Sequence, residues 1–218
     1  MARSKLEIGM GEPAKKGSRD SWLPSFLLIC FVAILALLLG PVRSAYRVAR
    51  ENAFLETGHT IYLYLFQYSI DHNDHCPSGS SSTEVFQKLI DGKYATDPRI
   101  FYLPMPGKTK PTSLHLKPEN VSWDITIPVD WRSSENVPLI FCTGYRIEYK
   151  PGGRALPLPN RSRPAFDHVA MVNNRGAARL FQSGASPYSS IPNFIPANAS
   201  LGTTTYTQLT PDGPLPQQ

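Results

Sequence analysis

The chain has 218 residues, 22 Lys and Arg against 17 Asp and Glu, a formal net charge of +5 and 41% apolar residues. That length suits one ordinary domain with additional segments. The basic excess is mild and dispersed, without a Lys/Arg stripe interleaved with aromatics, which speaks against a nucleic-acid partner.

Residues 1–20 are polar and read as a cytoplasmic N-terminal segment. No charged side chain stands between Asp20 and Arg43. As a helix, the uncharged stretch 21–42 would be about 33 Å long, matching a hydrocarbon core of roughly 30 Å. Trp22 suits a headgroup interface. The expectation is a single-pass transmembrane helix over 21–42. A cleaved signal peptide is the rival, with an apolar core of about 7–15 residues ending in small residues. The cleavage candidates lie at Val42-Arg43-Ser44-Ala45, where arginine interrupts the small-residue pattern, so an uncleaved signal-anchor is preferred. Arg3, Lys5, Lys15, Lys16 and Arg19 precede the run, and Arg43, Arg47 and Arg50 follow it. This bias favours a cytoplasmic N-terminus and an extracytoplasmic C-terminal domain.

A helical rhythm continues through residues 43–76, the predicted stem. Ala45, Val48 and Ala49 recur at helical spacing, as do Leu55, Ile61, Leu65 and Tyr68. Arg47 and Glu51 form an i,i+4 pair, and Gly40-Pro41 should loosen or kink the helix. The helix should end near residues 70–73, before Pro77. There, His72 and His75 stand with Asp71, Asp74 and Cys76, the one cluster of metal-ligand residue types. Such residues also gather at helix ends to bond the backbone. That reading is preferred, because no distant fourth ligand is specified. No catalytic, cofactor-binding or metal-binding residue is assigned, and an enzyme is not expected. Cys76 and Cys142 are a candidate disulfide if this part is exported, the alternative being two thiols.

Residues 77–182 read as a globular α+β domain. Ser81 and Glu84 fit a capping box ahead of Val85, Phe86, Leu89 and Ile90, with Gly92 as terminator. Residues 121–127 alternate as a strand. Residues 137–150 read as one strand bent at Gly144 or as two short ones. Residues 168–181 read as a hairpin turning at 173–176. Strands following one another without intervening helices favour an antiparallel sheet. Residues 183–218 form a Pro/Ser/Thr-rich tail expected to be largely irregular, with 203–209 as a candidate edge strand. The Ser-rich stretch 77–84 lacks a nucleophile's strand–turn–helix context, and residues 151–154 read as a tight turn. Asn120, Asn160 and Asn198 head formal glycosylation sequons.

Several of these pieces resemble type IV pilin-like proteins, in particular the G-type pseudopilins of type II secretion. Residues 32–52 carry Ala33-Ile34-Leu35, Pro41 and the series Arg43, Arg47 and Arg50 at positions matching that family's stem. Residues 68–77 are similar to the end of its stem helix, 85–104 to its second helix and following turn, and 167–181 to its late hairpin. The resemblance implies a long N-terminal transmembrane helix continuing into a stem packed on a small antiparallel sheet. It also implies a bacterial inner-membrane location with a periplasmic domain. The implied role is structural, in the assembly of a secretion or pilus-type envelope system. The implied partners are membrane lipid and either copies of the chain or pilin-like subunits, joined through stem helices. Residues 28–39 and Gly40-Pro41 would carry that assembly. No small-molecule substrate is implied. The family's prepilin cleavage motif, Gly followed by Phe-Thr-Leu-Ile-Glu, is absent. One alignment puts Arg19 at the Gly and Pro24 at the Glu, and another uses Gly17 and puts Trp22 at the Glu. The alternative is therefore an unprocessed, membrane-tethered extracytoplasmic binding module outside any filament.

Overall fold

The computed structural model describes residues 23–129, 133–159, 168–182 and 189–215, and among residues 23–24 and 34–44 the backbone alone. The expected N-terminal segment 1–20, Trp22 and the sequon at Asn160 lie outside the described residues. The elements are helix α1 (Leu23–Asp71), helix α2 (Ser82–Asp91) and strands β1 (Trp123–Ile127), β2 (Pro138–Cys142), β3 (Tyr145–Ile147), β4 (Ala155–Pro157), β5 (His168–Asn173), β6 (Ala178–Gln182), β7 (Thr207–Thr210) and β8 (Gly213–Pro214). Short 3-10 turns occupy Pro98–Phe101 and Pro118–Asn120. The chain divides into two compact units, Met1–Arg47 and Val48–Gln218.

Among the described residues no helix is long and apolar enough to cross a membrane. This corrects the expected fold, in which a long N-terminal transmembrane helix over 21–42 continued into a stem. It equally corrects the single-pass inner-membrane location, with its cytoplasmic N-terminus and periplasmic domain. Charged side chains limit the apolar length of α1. From Arg47 onward the helix carries Arg50, Glu51 and Glu56.

In the second unit, α1 lays one stripe on the sheet. Phe54, Gly58, Ile61, Leu65 and Ser69 are buried and recur every three or four residues, one face of a 3.6-residue helix. Gly58 permits the closest approach. A Cβ there would stand 2.9 Å from Val172 Cγ2 and 3.3 Å from Trp123 Cη2. Further along, Tyr62 covers the β5–β6 turn at Gly176, whose φ of +78° favours glycine and where a Cβ would meet the Tyr62 ring at 2.6 Å.

The six-stranded sheet has the order β6-β5-β2-β1-β7-β8, and all its pairings are antiparallel. Trp123 and Ile125 point to the α1 side by the alternation of a strand, and Asp124 and Thr126 to the other. Both faces are buried along β1. The second face is covered by the two-stranded ribbon β3-β4 and by residues 189–206. There Phe194 meets Phe141 edge-on at 6.1 Å and Phe181 at 4.7 Å, while Ile191 bridges Ala155.

Helix α2 begins where the sequence places it. Ser81 Oγ accepts the Glu84 N–H at 3.1 Å, as an N-cap does. The return half of the box is displaced by one residue, because the Glu84 carboxylate accepts from Ser80 N and Ser80 Oγ, both at 2.7 Å. Two buried hydroxyls dock the helix: Ser82 Oγ donates to Trp123 O at 2.8 Å and Thr83 Oγ1 to Pro211 O at 2.9 Å.

Candidate functional site

The cluster of metal-ligand types at the end of α1 is taken apart by its own backbone. The helix stops at Asp71, and Asn73 and Asp74 turn into the left-handed region with φ of 55° and 66°. Asp71 accepts a hydrogen bond from Tyr94 Oη at 2.8 Å. His72 stacks on Tyr68 at 3.8 Å, and its Nδ1 lies 2.7 Å from Tyr68 O. The aspartate and histidine thus finish the helix and brace it against Tyr94. Among the described residues no group of three or more His, Cys, Asp or Glu side chains is placed to hold a metal ion.

His75 and Cys76 turn instead toward a cleft of about 480 Å³, lined also by Ser78, Ile127, Val129 and Thr204. Cys76 is half-buried there, whereas Cys142 lies fully inside the sheet on β2, opposite Trp123 of β1. No disulfide joins them. Burial pushes the Cys142 thiol up to about 12, since a thiolate has no solvation in that position. The nearby Asp124 carboxylate acts in the same direction, while a backbone hydrogen bond at Ala170 opposes both.

A second junction ties α1 to β5 of the sheet. His168 Nδ1 of β5 lies 3.2 Å from Glu51 Oε1 of α1, both side chains about four-fifths buried. Arg50 lies over the Phe54 ring at 5.9 Å, a cation–π distance. The segment just C-terminal to Arg47 is therefore held on β5 by the Glu51–His168 contact as well as by apolar packing. Of the residues that recur at helical spacing, Ile61 and Leu65 are buried, whereas Leu55 is only half-buried and its neighbour Phe54 reaches the core.

Among the described residues, α1 carries most of the exposed large apolar side chains. Phe26, Leu27, Leu28, Ile29, Phe31 and Val32 are each 55–66% exposed. Leu63, Phe66 and Ile70 add exposed apolar side chains on the face of α1 turned away from the sheet. A helix apolar on all sides is ordinarily covered by something, and exposed apolar patches of this kind mark interaction surfaces. Of the residues expected to carry assembly, Leu28, Ile29, Phe31 and Val32 are exposed. The side chains of 34–44, including Leu39 and Pro41, lie outside the described residues, and the helical backbone continues through Gly40-Pro41. No protein family, curated protein or solved structure matches the chain.

Proposed function

We propose that this protein is a structural assembly subunit of pilin-like type, whose α1 packs against the same helix of neighbouring copies, and that it performs no catalysis. The carrying observation is the run of exposed apolar side chains from Phe26 to Val32. Burying such side chains stabilises by roughly 1.5–3 kcal/mol each, so side-by-side packing of this helix has a large driving force. The globular unit supports the reading by holding the later half of α1 against a sheet through the Phe54, Gly58, Ile61 and Leu65 stripe. That leaves Leu63, Phe66 and Ile70 directed outward.

Cys30 lies within the apolar run and is partly exposed, so it reports on the packing directly. Mild copper-catalysed oxidation of the full chain should give disulfide-linked dimers that survive Cys76→Ser and vanish in Cys30→Ser. Sedimentation velocity should show concentration-dependent assembly that Phe31→Lys weakens. A chain that stays monomeric across micromolar concentrations and forms no Cys30-dependent dimer would sink the reading.

A further inference from the structure

A cleft of about 520 Å³ opens where the β3-β4 ribbon lies beside β7, within the common size range of ligand sites. Its walls include Arg146 of β3, Leu156 of β4, Tyr206, and the threonines 204, 205 and 207. Arg146 sits midway along β3, between Tyr145 and Ile147, whose side chains are buried on the opposite side of the ribbon. Its Nε is buried and has no hydrogen-bond partner. Among the described residues no carboxylate pairs with its guanidinium. The acidic residue of the same wall, Glu148, is held by Arg154 at 3.1 Å and by Lys150 at 3.5 Å.

A buried N–H without an acceptor is rare in folded proteins and calls for an explanation. A guanidinium offers a planar fork of donors that matches a carboxylate or phosphate group in two-point fashion. Lys150 and Arg154, paired with Glu148, offset the charge that this carboxylate brings to the wall. Leu156, the cross-strand partner of Arg146, and Tyr206 supply apolar wall beside this cationic point.

We propose that this cleft binds a small organic anion, whose carboxylate or phosphate group takes the fork of Arg146 while its apolar body lies against Leu156 and Tyr206. The threonine hydroxyls bond the remaining oxygens. The cleft lies wholly within the second unit and is independent of the assembly surface on α1.

Isothermal titration of the full chain at fixed ionic strength, with benzoate and with phenyl phosphate as probes and chloride as control, tests this. At least one probe should bind saturably in the millimolar range or better, and the better one identifies the head group as carboxylate or phosphate. Arg146→Gln should weaken binding tenfold or more with an unchanged melting temperature. Arg146→Lys, which keeps the charge and loses the fork, should weaken it severalfold. Absence of saturable binding by both probes, or an equal response to chloride, overturns the proposal. So does unaltered affinity in Arg146→Gln. Should that variant fail to fold, wild-type affinity in Arg146→Lys overturns it equally.

Discussion

Gly58 of α1 rests on the ring of Trp123 of β1, beside the Val172 side chain of β5, which leaves too little room for a Cβ without a shift. A Cβ at position 58 would lie 3.3 Å from Trp123 Cη2 and 2.9 Å from Val172 Cγ2. Trp123 is fully buried, and Val172 is fixed in β5, so neither can swing aside. A glycine within a helix costs about 1 kcal/mol relative to alanine, and the close helix–sheet contact offsets that cost. Gly58→Leu should lower stability by about 2–3 kcal/mol, read from chemical denaturation followed by circular dichroism. Gly58→Ala should be milder, because the gain in helix propensity partly compensates the clash.

Local pattern made part of this fold legible. Ser81 ahead of Val85, Phe86, Leu89 and Ile90 announces α2, alternation over 121–127 announces β1, and the Asn-Asn-Arg-Gly run announces the β5–β6 turn. These signals are written within a few residues of where they act. What was not legible depends on distant partners. Residues 203–209 read as a candidate edge strand, yet β7 pairs with β1 on one side and β8 on the other. The residues after Gly144 leave the large sheet, and β3 pairs with β4 instead. The late Pro-rich segment carries Ile191, Phe194, Ile195 and Leu201 into the core. Their apolar residues are scattered singly among Pro, Ser and Thr, so no period reveals them. The cleft at Arg146 is a product of these pairings and has no signature in any single stretch.

Ser81 adopts extended backbone, with φ of −150° and ψ of 162°, and holds the Glu84 N–H. Ser81→Ala should therefore cost about 1 kcal/mol, and Ser81→Asp should retain most of the stability. Equilibrium unfolding in urea of the three chains at neutral pH distinguishes them. Equal midpoints for wild type and Ser81→Ala would show the cap to be idle.

The Glu148 carboxyl is pulled from 4.5 to about 2, first by the side-chain hydrogen bond from Arg154, with a backbone bond from Arg154 and the charges of Arg154 and Lys150 acting the same way. A carboxyl whose folded value is depressed favours the folded state above its unfolded value and loses that contribution as pH falls through the folded one. The stability gap between wild type and Glu148→Gln should thus be full above about pH 4.5 and close toward pH 2. Because the pair is partly exposed, the gap should be no more than about 1 kcal/mol and should shrink in high salt. A gap that grows on acidification would contradict the assigned pairing.

The two cysteines of the globular unit should differ sharply in reactivity. Cys142 is buried in β2 with its thiol pushed up to about 12, whereas Cys76 borders an open cleft. Since the thiolate is the reactive species, iodoacetamide at neutral pH should modify Cys76 in the native chain and reach Cys142 only on unfolding. Peptide mass analysis before and after denaturation reads this. Early labelling of Cys142 would mean that β2 opens locally, and a recovered Cys76–Cys142 disulfide peptide would mean that the two approach in an alternative packing.

Gln208 is the buried hub that joins the large sheet to the β3-β4 ribbon. Its Nε2 donates to Asp124 Oδ2 at 2.6 Å and to Tyr145 O at 2.5 Å, and its Oε1 accepts the Ile147 N–H at 3.1 Å. Asp124, Tyr145 and Ile147 are all buried, so water cannot replace these bonds once they are lost. Gln208→Leu fills a similar volume but strips three polar groups of a partner, and should cost about 3–5 kcal/mol. Gln208→Glu separates polarity from volume. It sets a second carboxyl at the position that now donates to Asp124, so one of the two must hold a proton in the folded state. The folded chain then binds more protons than the unfolded one, and stability must fall as pH rises from about 4 to 7. Thermal melts across that range should therefore show Gln208→Glu approaching wild type in acid and falling away at neutral pH, while Gln208→Leu stays uniformly low. Parallel pH profiles for the two variants would show that Gln208 acts only by filling space.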